Sequence, residues 1–310
     1  MAQHVGRFAP SPTGQLHLGN LRTALVAWLS ARQGGLGFVV RMEDLDRVTS
    51  SRDHEQAQLA DMAALGLDWD GEVVRQSERF DRYDDAIATL VAAGRTYACF
   101  CTRREIREAA QAPNGPDLPD GAYPGTCRTL TATKRGELVG EGRSPALRLR
   151  ADNISVTVID GLCGPYTGRV DDFVLRRNDG VPAYNVAVVV DDALQDVAEV
   201  VRGDDLLLST PRHVILQTLL GLPTPRYCHV PLVLGADGAR LAKRHGSVTV
   251  AQLAASGITP ADIVSRLAIS LALAEPGELV TANDLIGRFT IGVLAREAWL
   301  LPADLQRSDP

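Results

Sequence analysis

The order of apolar patterns at the start of the chain restricts the fold more than any other feature. "VGRF" (5–8) and "LGFVVRME" (36–43) have strand character. Between them Leu18, Leu21, Leu25, Trp28 and Leu29 recur at helical spacing until Gly34-Gly35 ends the pattern. A strand, a helix and a strand in that order are expected to form two parallel strands joined by a crossover helix.

The entry to that helix, "RFAPSPTGQLHLGN" (7–20), carries two prolines and then His-x-Gly-Asn. A helix beginning near residues 16–18 directs free backbone N–H groups and a positive dipole end toward its start. Gly14 and Gly19 permit close approach of a ligand to the backbone, and His17 can donate to a phosphate oxygen. The stretch can therefore be an anion site, but the short motif His-x-Gly-Asn taken alone reads more readily as a tight turn with a satisfied surface histidine.

Further along, a helix is expected from about Ser51 to Leu65, with Gly66 as its cap. "QAPNGPDLPDGAYPGTC" is a loop by its proline, glycine and aspartate content. "ALRLRAD", "ISVTVID" and "DFVLRRNDGVPAYNVAVVVDD" read as strands with turns between them, "VAVVV" (186–190) being short enough for a buried strand. "STPRHVILQTLLGL" returns to helix, capped by Ser209 or Thr210 with Pro211 in the first turn, and "RYCHVPLVLG" is strand. From "TVAQLAASG" onward the pattern is mostly helical. The fold class is α/β: a nucleotide-binding core, a β-rich insertion and a short C-terminal helical segment.

No apolar run approaches the roughly 20 residues of a membrane span, and no secretory signal is visible, so the expected address is the cytoplasm. A net charge of −6 argues against a surface coated in nucleic-acid contacts, although "CTRREIR" and "RLAKRH" are local basic clusters. Of five cysteines, Cys99, Cys101 and Cys127 lie close together. Two residues apart on a strand, Cys99 and Cys101 would face the same side. Three thiolates suit zinc, but a closed structural site wants four ligands. From chemistry alone, the fourth is Asp117, Asp120, Tyr123 or a water.

"RFAPSPTGQLHLGNLRTAL" closely resembles the first signature of class I glutamyl-tRNA synthetases. The resemblance continues in order through "RMEDLD", "QSERFDRY", "DFVLRRNDGVPAYNVAVVVDD", "VVRGDDLLLSTPRHVILQTLLG" and "LAKRHGSVT". It implies a class I synthetase-type Rossmann core in which His17, Gly19, Asn20 and Lys243 meet ATP, with His17 and Lys243 catalytic. It also implies that Arg7, Ser11, Glu43, Tyr184 and Arg202 bind glutamate, Glu43 taking the ammonium while Arg7, Tyr184 and Arg202 share the carboxylates. The second nucleotide motif of the class, Lys-Met-Ser-Lys-Ser, is reduced to "RLAKR": Arg240 stands for the first lysine, Ala242 for the serine, and Lys243 matches the second lysine. The pattern C-x-C…Y-x-x-x-C is similar to that of a shortened relative of these enzymes, which implies Tyr123 as fourth ligand beside Cys99, Cys101 and Cys127, around one structural zinc ion per chain.

The stretch after Lys243 has no room for a domain that reads an anticodon, so the chain resembles the glutamyl-Q tRNA(Asp) synthetase family, which consists of the catalytic half alone. The division this implies is 1–80 and 191–250 for the two Rossmann halves, the second with the KMSKS-like loop. Residues 81–190 would form an inserted acceptor-binding subdomain with the zinc site, and 251–310 a stem-like helical tail. The implied partners are L-glutamate, ATP with Mg2+, and tRNA(Asp) carrying queuosine, with the protein a monomer. Two other readings stay open: glutamate activation for a different acceptor, and an inactive relative serving as an RNA-binding or regulatory module.

Overall fold

The computed structural model describes residues 4–110, 122–235, 237–239, 241, 248–302 and 305. Strand β1 (Val5–Phe8), helix α1 (Leu18–Gln33) and strand β2 (Gly37–Met42) form the expected unit, β1 and β2 running parallel from Val5 opposite Gly37 to Phe8 opposite Val40. The five residues that set the helical spacing are all buried, but so are Ala24, Val26, Ala27 and Ala31. Helix α1 lies between the sheet and the C-terminal helices, so nearly its whole circumference is core. At Gly6 a Cβ would stand 2.8 Å from that of Ala31. Only glycine lets β1 approach α1 so closely.

Helix α2 (Arg52–Ala64) is capped by Ser51, whose side chain accepts from the His54 N–H, and β3 (Val74–Arg75) pairs parallel to β2. Helix α3 (Phe80–Ala92) leads to β4 (Thr96–Cys99), α4 (Arg103–Ala110), α5 (Ala132–Gly140) and β5 (Ala146–Leu149). Two strands, β6 (Ser155–Asp160) and β7 (Gly164–Arg169), form an antiparallel hairpin; β8 (Val174–Arg176) and α6 (Tyr184–Leu194) follow. The stretch 81–190 thus divides in two. Strands β4, β5 and β8 make a small antiparallel sheet, whereas β6 and β7 extend the large one.

Residues 184–194 correct the strand reading: they are helical, with 186–192 all buried. Valine-rich runs have no periodic polar face to tell a core helix from a core strand. Here the run packs between α3 and α7, and its final pair, Asp191 and Asp192, turns inward to arginines.

The chain returns to the large sheet with β9 (Val197–Gly203), crosses α7 (Thr210–Leu220) and continues as β10 (Arg226–Val230). Ser209 is the N-cap of α7, with a proline in its first turn, and Gly221 closes it in the left-handed conformation at φ 66°. The sheet order β3-β2-β1-β9-β10-β6-β7 is parallel except for the last pair, and the order reverses between β1 and β9. In open α/β sheets a crevice forms at such a switch point, beyond the carboxyl ends of the strands. Phe8, Met42, Gly203 and Val230 are those ends.

Strand β11 (Val233–Leu234) precedes α8 (Val250–Ala255), α9 (Pro260–Ser270) and α10 (Ala282–Ile286). The tail is not helical throughout, because β12 (Trp299–Leu300) comes back to pair parallel with β11. No helix among the described residues is long and apolar enough to cross a membrane.

Candidate active site

His17 is the N-cap of α1. Its Nδ1 accepts from the Asn20 N–H at 3.2 Å, and the Asn20 side-chain oxygen accepts from the His17 N–H at 3.2 Å, a reciprocal capping box built on histidine. Because Nδ1 is an acceptor here, the ring hydrogen sits on Nε2. Burial holds the imidazole below its ordinary pKa, so it is a neutral donor. A Cβ on Gly19 would come within 2.9 Å of the ring, so glycine is what allows His17 to lie over the first turn.

The open helix start is narrower than the sequence suggested. The Leu18 N–H donates to the Val248 carbonyl at 3.0 Å and the Asn20 N–H is taken by His17. Among the described residues, the Gly19 N–H is the one left for a ligand. His17, Gly19 and Asn20 line a cavity of about 390 Å³ at the sheet's switch point, which also takes in Leu241. Lys243, with Arg240 and Ala242, lies outside the described residues.

Arg7, Glu43, Tyr184 and Arg202 line the same cavity, and Ser11 joins Glu43 and Tyr184 along a neighbouring cleft. Arg7 projects from β1 and donates through Nη1 to the Val201 carbonyl at 3.1 Å, its Nε lying 3.6 Å from Asp192. Glu43 follows directly after β2. Burial raises its pKa, with Arg41 and Arg7 opposing that shift. Tyr184 opens α6; its ring centre lies 5.8 Å from that of His213, and burial pushes its phenol up to about 12, so it serves as a neutral donor.

Several residues of the site were not identified from the sequence. Arg41 is wholly buried and links Glu43 (3.5 Å) to Asp192 (2.8 Å), while Asp192 faces Arg7. Two carboxylates and two guanidinium groups alternate, which keeps a buried charged pocket near neutrality. Adjacent acids ending an apolar run, "VVVDD", were the available signal. Around Arg202 stand His229, His213 and Thr210, at 3.0, 3.2 and 2.8 Å from its nitrogens. They come from β10 and α7, and no local pattern announces them.

The cysteine cluster lies at the end of the small sheet. Strand β4 stops at Cys99, so Cys101 is beyond it and not on the same strand face. The chain turns, and the three sulfur atoms still fall within 4.8 Å of one another. The Tyr123 hydroxyl lies 3.3 Å from Cys99 Sγ and 3.5 Å from Cys101 Sγ, and accepts from the Cys127 N–H at 2.8 Å. Three thiols and one phenol oxygen around a common centre fit the four-donor set of a structural zinc site. The surroundings hold the phenol in place: Arg148 stacks 3.7 Å from the ring centre, and Asp171 accepts from the Tyr123 N–H at 3.0 Å. Asp117 and Asp120, the other candidate ligands, lie outside the described residues. A cleft of about 900 Å³ runs from Ser11, Glu43 and Tyr184 to Cys99 and Cys101.

Comparison with known proteins shows the family. The family "tRNA synthetases class I (E and Q), catalytic domain" matches residues 4–304. The glutamyl-Q tRNA(Asp) synthetase of Nocardia farcinica is 56% identical over 96% of this chain and 92% of its own length. That of Symbiobacterium thermophilum is 46% identical over 96% of both. A glutamate–tRNA ligase of Oleidesulfovibrio alaskensis is 41% identical over 96% of this chain, which spans 63% of that longer protein. The crystal structure of a glutamate tRNA ligase from Elizabethkingia meningosepticum, in complex with its amino acid, shares the fold with a TM-score of 0.82 at 27% identity, over 98% of this chain and 68% of that one. The chain belongs to the class I tRNA synthetases of the glutamate and glutamine type, within them to the glutamyl-Q tRNA(Asp) synthetase family, and it is a ligase.

Proposed function

We propose that the protein activates L-glutamate with ATP in the absence of tRNA and transfers the glutamyl group to queuosine in the anticodon of tRNA(Asp). The observation that carries this reading is the cavity in which Arg7, Arg202 and Glu43 share walls with His17, whose ring hydrogen is on Nε2. It offers cations for two carboxylates, an anion for an ammonium group and a neutral donor for a phosphate. In the first step the glutamate α-carboxylate attacks the α-phosphorus of ATP and pyrophosphate leaves. Arg7, Tyr184 and Arg202 hold the carboxylates, Glu43 the ammonium and Ser11 the neighbouring wall. His17, with Gly19, Asn20 and Lys243, meets the triphosphate, where donors aimed at developing charge lower the barrier most. Magnesium would balance the phosphate charge.

In the second step a hydroxyl of the modified base attacks the mixed anhydride and AMP leaves. The cleft toward Cys99 and Cys101 would give the acceptor a route to that carbonyl, which supports the small sheet as the acceptor-binding part. Cys99, Cys101, Cys127 and Tyr123 would hold zinc there, which staples the segment and takes no part in the chemistry. The tail from residue 251 onward would serve as a stem-like support. The protein would act as a cytoplasmic monomer.

The test is glutamate-dependent ATP–pyrophosphate exchange without tRNA, followed by offering labelled glutamate to tRNA(Asp) with and without queuosine. Exchange together with label confined to the queuosine-bearing tRNA is expected. No exchange above background would overturn the activation step, and label on unmodified tRNA would overturn the acceptor.

A further inference from the structure

Arg202 has no carboxylate partner among the described residues, although it is buried. Its partners are instead two imidazoles. Nε donates to His229 Nε2 at 3.0 Å and Nη1 to His213 Nδ1 at 3.2 Å. Nη2 donates to Thr210 Oγ1 at 2.8 Å and the Leu206 carbonyl at 3.4 Å. A guanidinium is always a donor, so each ring nitrogen facing it must be an unprotonated acceptor. That fixes both tautomers, and they are opposite. His229 carries its hydrogen on Nδ1 and gives it to Asp160 at 2.6 Å; His213 carries its hydrogen on Nε2 and gives it to the Asn185 oxygen at 3.0 Å.

We infer that His213 and His229 are positioning residues, a pair of neutral imidazoles that clamp Arg202 from two sides so that its one remaining N–H, on Nη1, points at a substrate carboxylate. A carboxylate in either place would orient the arginine equally well but would also cancel its charge. A neutral acceptor fixes direction and leaves the full charge for an incoming anion. Burial supports the neutral state: His213 is held well below its ordinary pKa by desolvation and then by the arginines Arg202, Arg7 and Arg212. With four of five guanidinium hydrogens committed, Arg202 gives a single directed bond plus charge. Among the described residues Arg7 makes one guanidinium N–H bond, to the Val201 carbonyl, which leaves its Nη2 edge for a two-pronged grip.

That the clamped group meets glutamate rests on the function proposed above; the clamp itself does not, and two measurements keep them apart. Nitrogen-15 spectra of imidazole-labelled protein are expected to show one histidine protonated at Nδ1 and one at Nε2, assigned by the variants His229→Gln and His213→Gln. Matching tautomers, or a doubly protonated ring at pH 7, would overturn the clamp. In pyrophosphate exchange, His213→Leu is expected to raise the glutamate KM about tenfold or more while the ATP KM stays within twofold, because the loss falls on a bond to a charged group. His213→Gln, which keeps an acceptor for Arg202 and a donor for Asn185, is expected to restore most of it. Wild-type exchange with an unchanged glutamate KM in His213→Leu would overturn the inference and leave the function standing. Absent wild-type exchange with the two opposite tautomers present would do the reverse.

Discussion

The Leu18 N–H donates to the Val248 carbonyl at 3.0 Å, and His17 faces Thr249 across the same short bridge. The first turn of α1 is therefore tied to Val248 and Thr249, five and six residues after Lys243 in the sequence. Thr249 in turn caps α8, its side chain accepting from the Gln252 N–H while Gln252 reaches back. Thr249→Ala is expected to lower stability by about 1 kcal/mol, the usual worth of a cap. It should also slow pyrophosphate exchange severalfold with the glutamate KM unaltered. Urea unfolding and exchange kinetics on the same preparation check both parts, and a destabilised variant of unchanged turnover would show that the tie has no bearing on activation.

His17 caps α1, and substitution can separate that cap from the phosphate donor proposed for its ring. Asparagine is among the best N-caps, so His17→Asn should keep the helix start and change Tm little. It cannot place a donor where Nε2 stands. Loss of one donor to developing charge typically slows a reaction by about 10²–10³-fold, and a fall of that order in exchange turnover is expected, with a smaller change in the ATP KM. A fall of less than threefold would show that the ring does not meet the reacting phosphates.

How far the sequence alone reaches can be seen from particular residues. Strands β1 and β2 and helix α1 were legible because period and punctuation agree, down to Gly34 closing the helix. The cysteines and Tyr123 were legible as a set, partly through the family pattern and partly because thiol spacing carries chemistry. Helix α6 was not, since buried valines erase the difference between the two periods. Nor was the surround of Arg202: Asp160, Arg202, His213 and His229 come from four elements, and the parallel packing of β9, β10 and β6 with α7 against the sheet brings them together. Arg41 illustrates the same limit, for an arginine in a strand gives no hint that it is wholly buried between two acids.

The pair Asp160 and His229 gives the fold an acid limit. Burial alone would raise the Asp160 pKa, but hydrogen bonds from the His229 ring and from the N–H groups of Cys163, Leu162 and His229 bring it down to about 2. An unfolded aspartate titrates near pH 4, so the folded state binds the proton less tightly. The resulting stability, about 2 kcal/mol, is fully present above pH 4 and is lost as pH falls toward 2. His229, lowered mainly by burial, and His213 act in the same direction from about pH 6.5 downward. Urea midpoints measured from pH 7 to 3 are expected to fall continuously. In Asp160→Asn, less stable at neutrality, the portion below pH 4 should flatten; an equally steep fall there would remove Asp160 as its source.

Removing the zinc proposed for the cysteine cluster tests whether activation and transfer are separable. None of Cys99, Cys101, Tyr123 and Cys127 lines the cavity of His17 and Arg202; two of the cysteines instead line the cleft through which an acceptor would enter. Metal analysis should find about one zinc per chain. Stripping it with a chelator, then restoring magnesium, should lower Tm and leave glutamate-dependent exchange near its starting rate, while transfer to tRNA drops sharply. Cys127→Ser should behave in the same way without any chelator, because a serine hydroxyl is a poor replacement for a thiolate at a site already supplied with one phenol oxygen. Exchange that fell in proportion to the lost metal would mean that the small sheet shapes the activation pocket itself, and the division of labour between the two cavities would have to be given up.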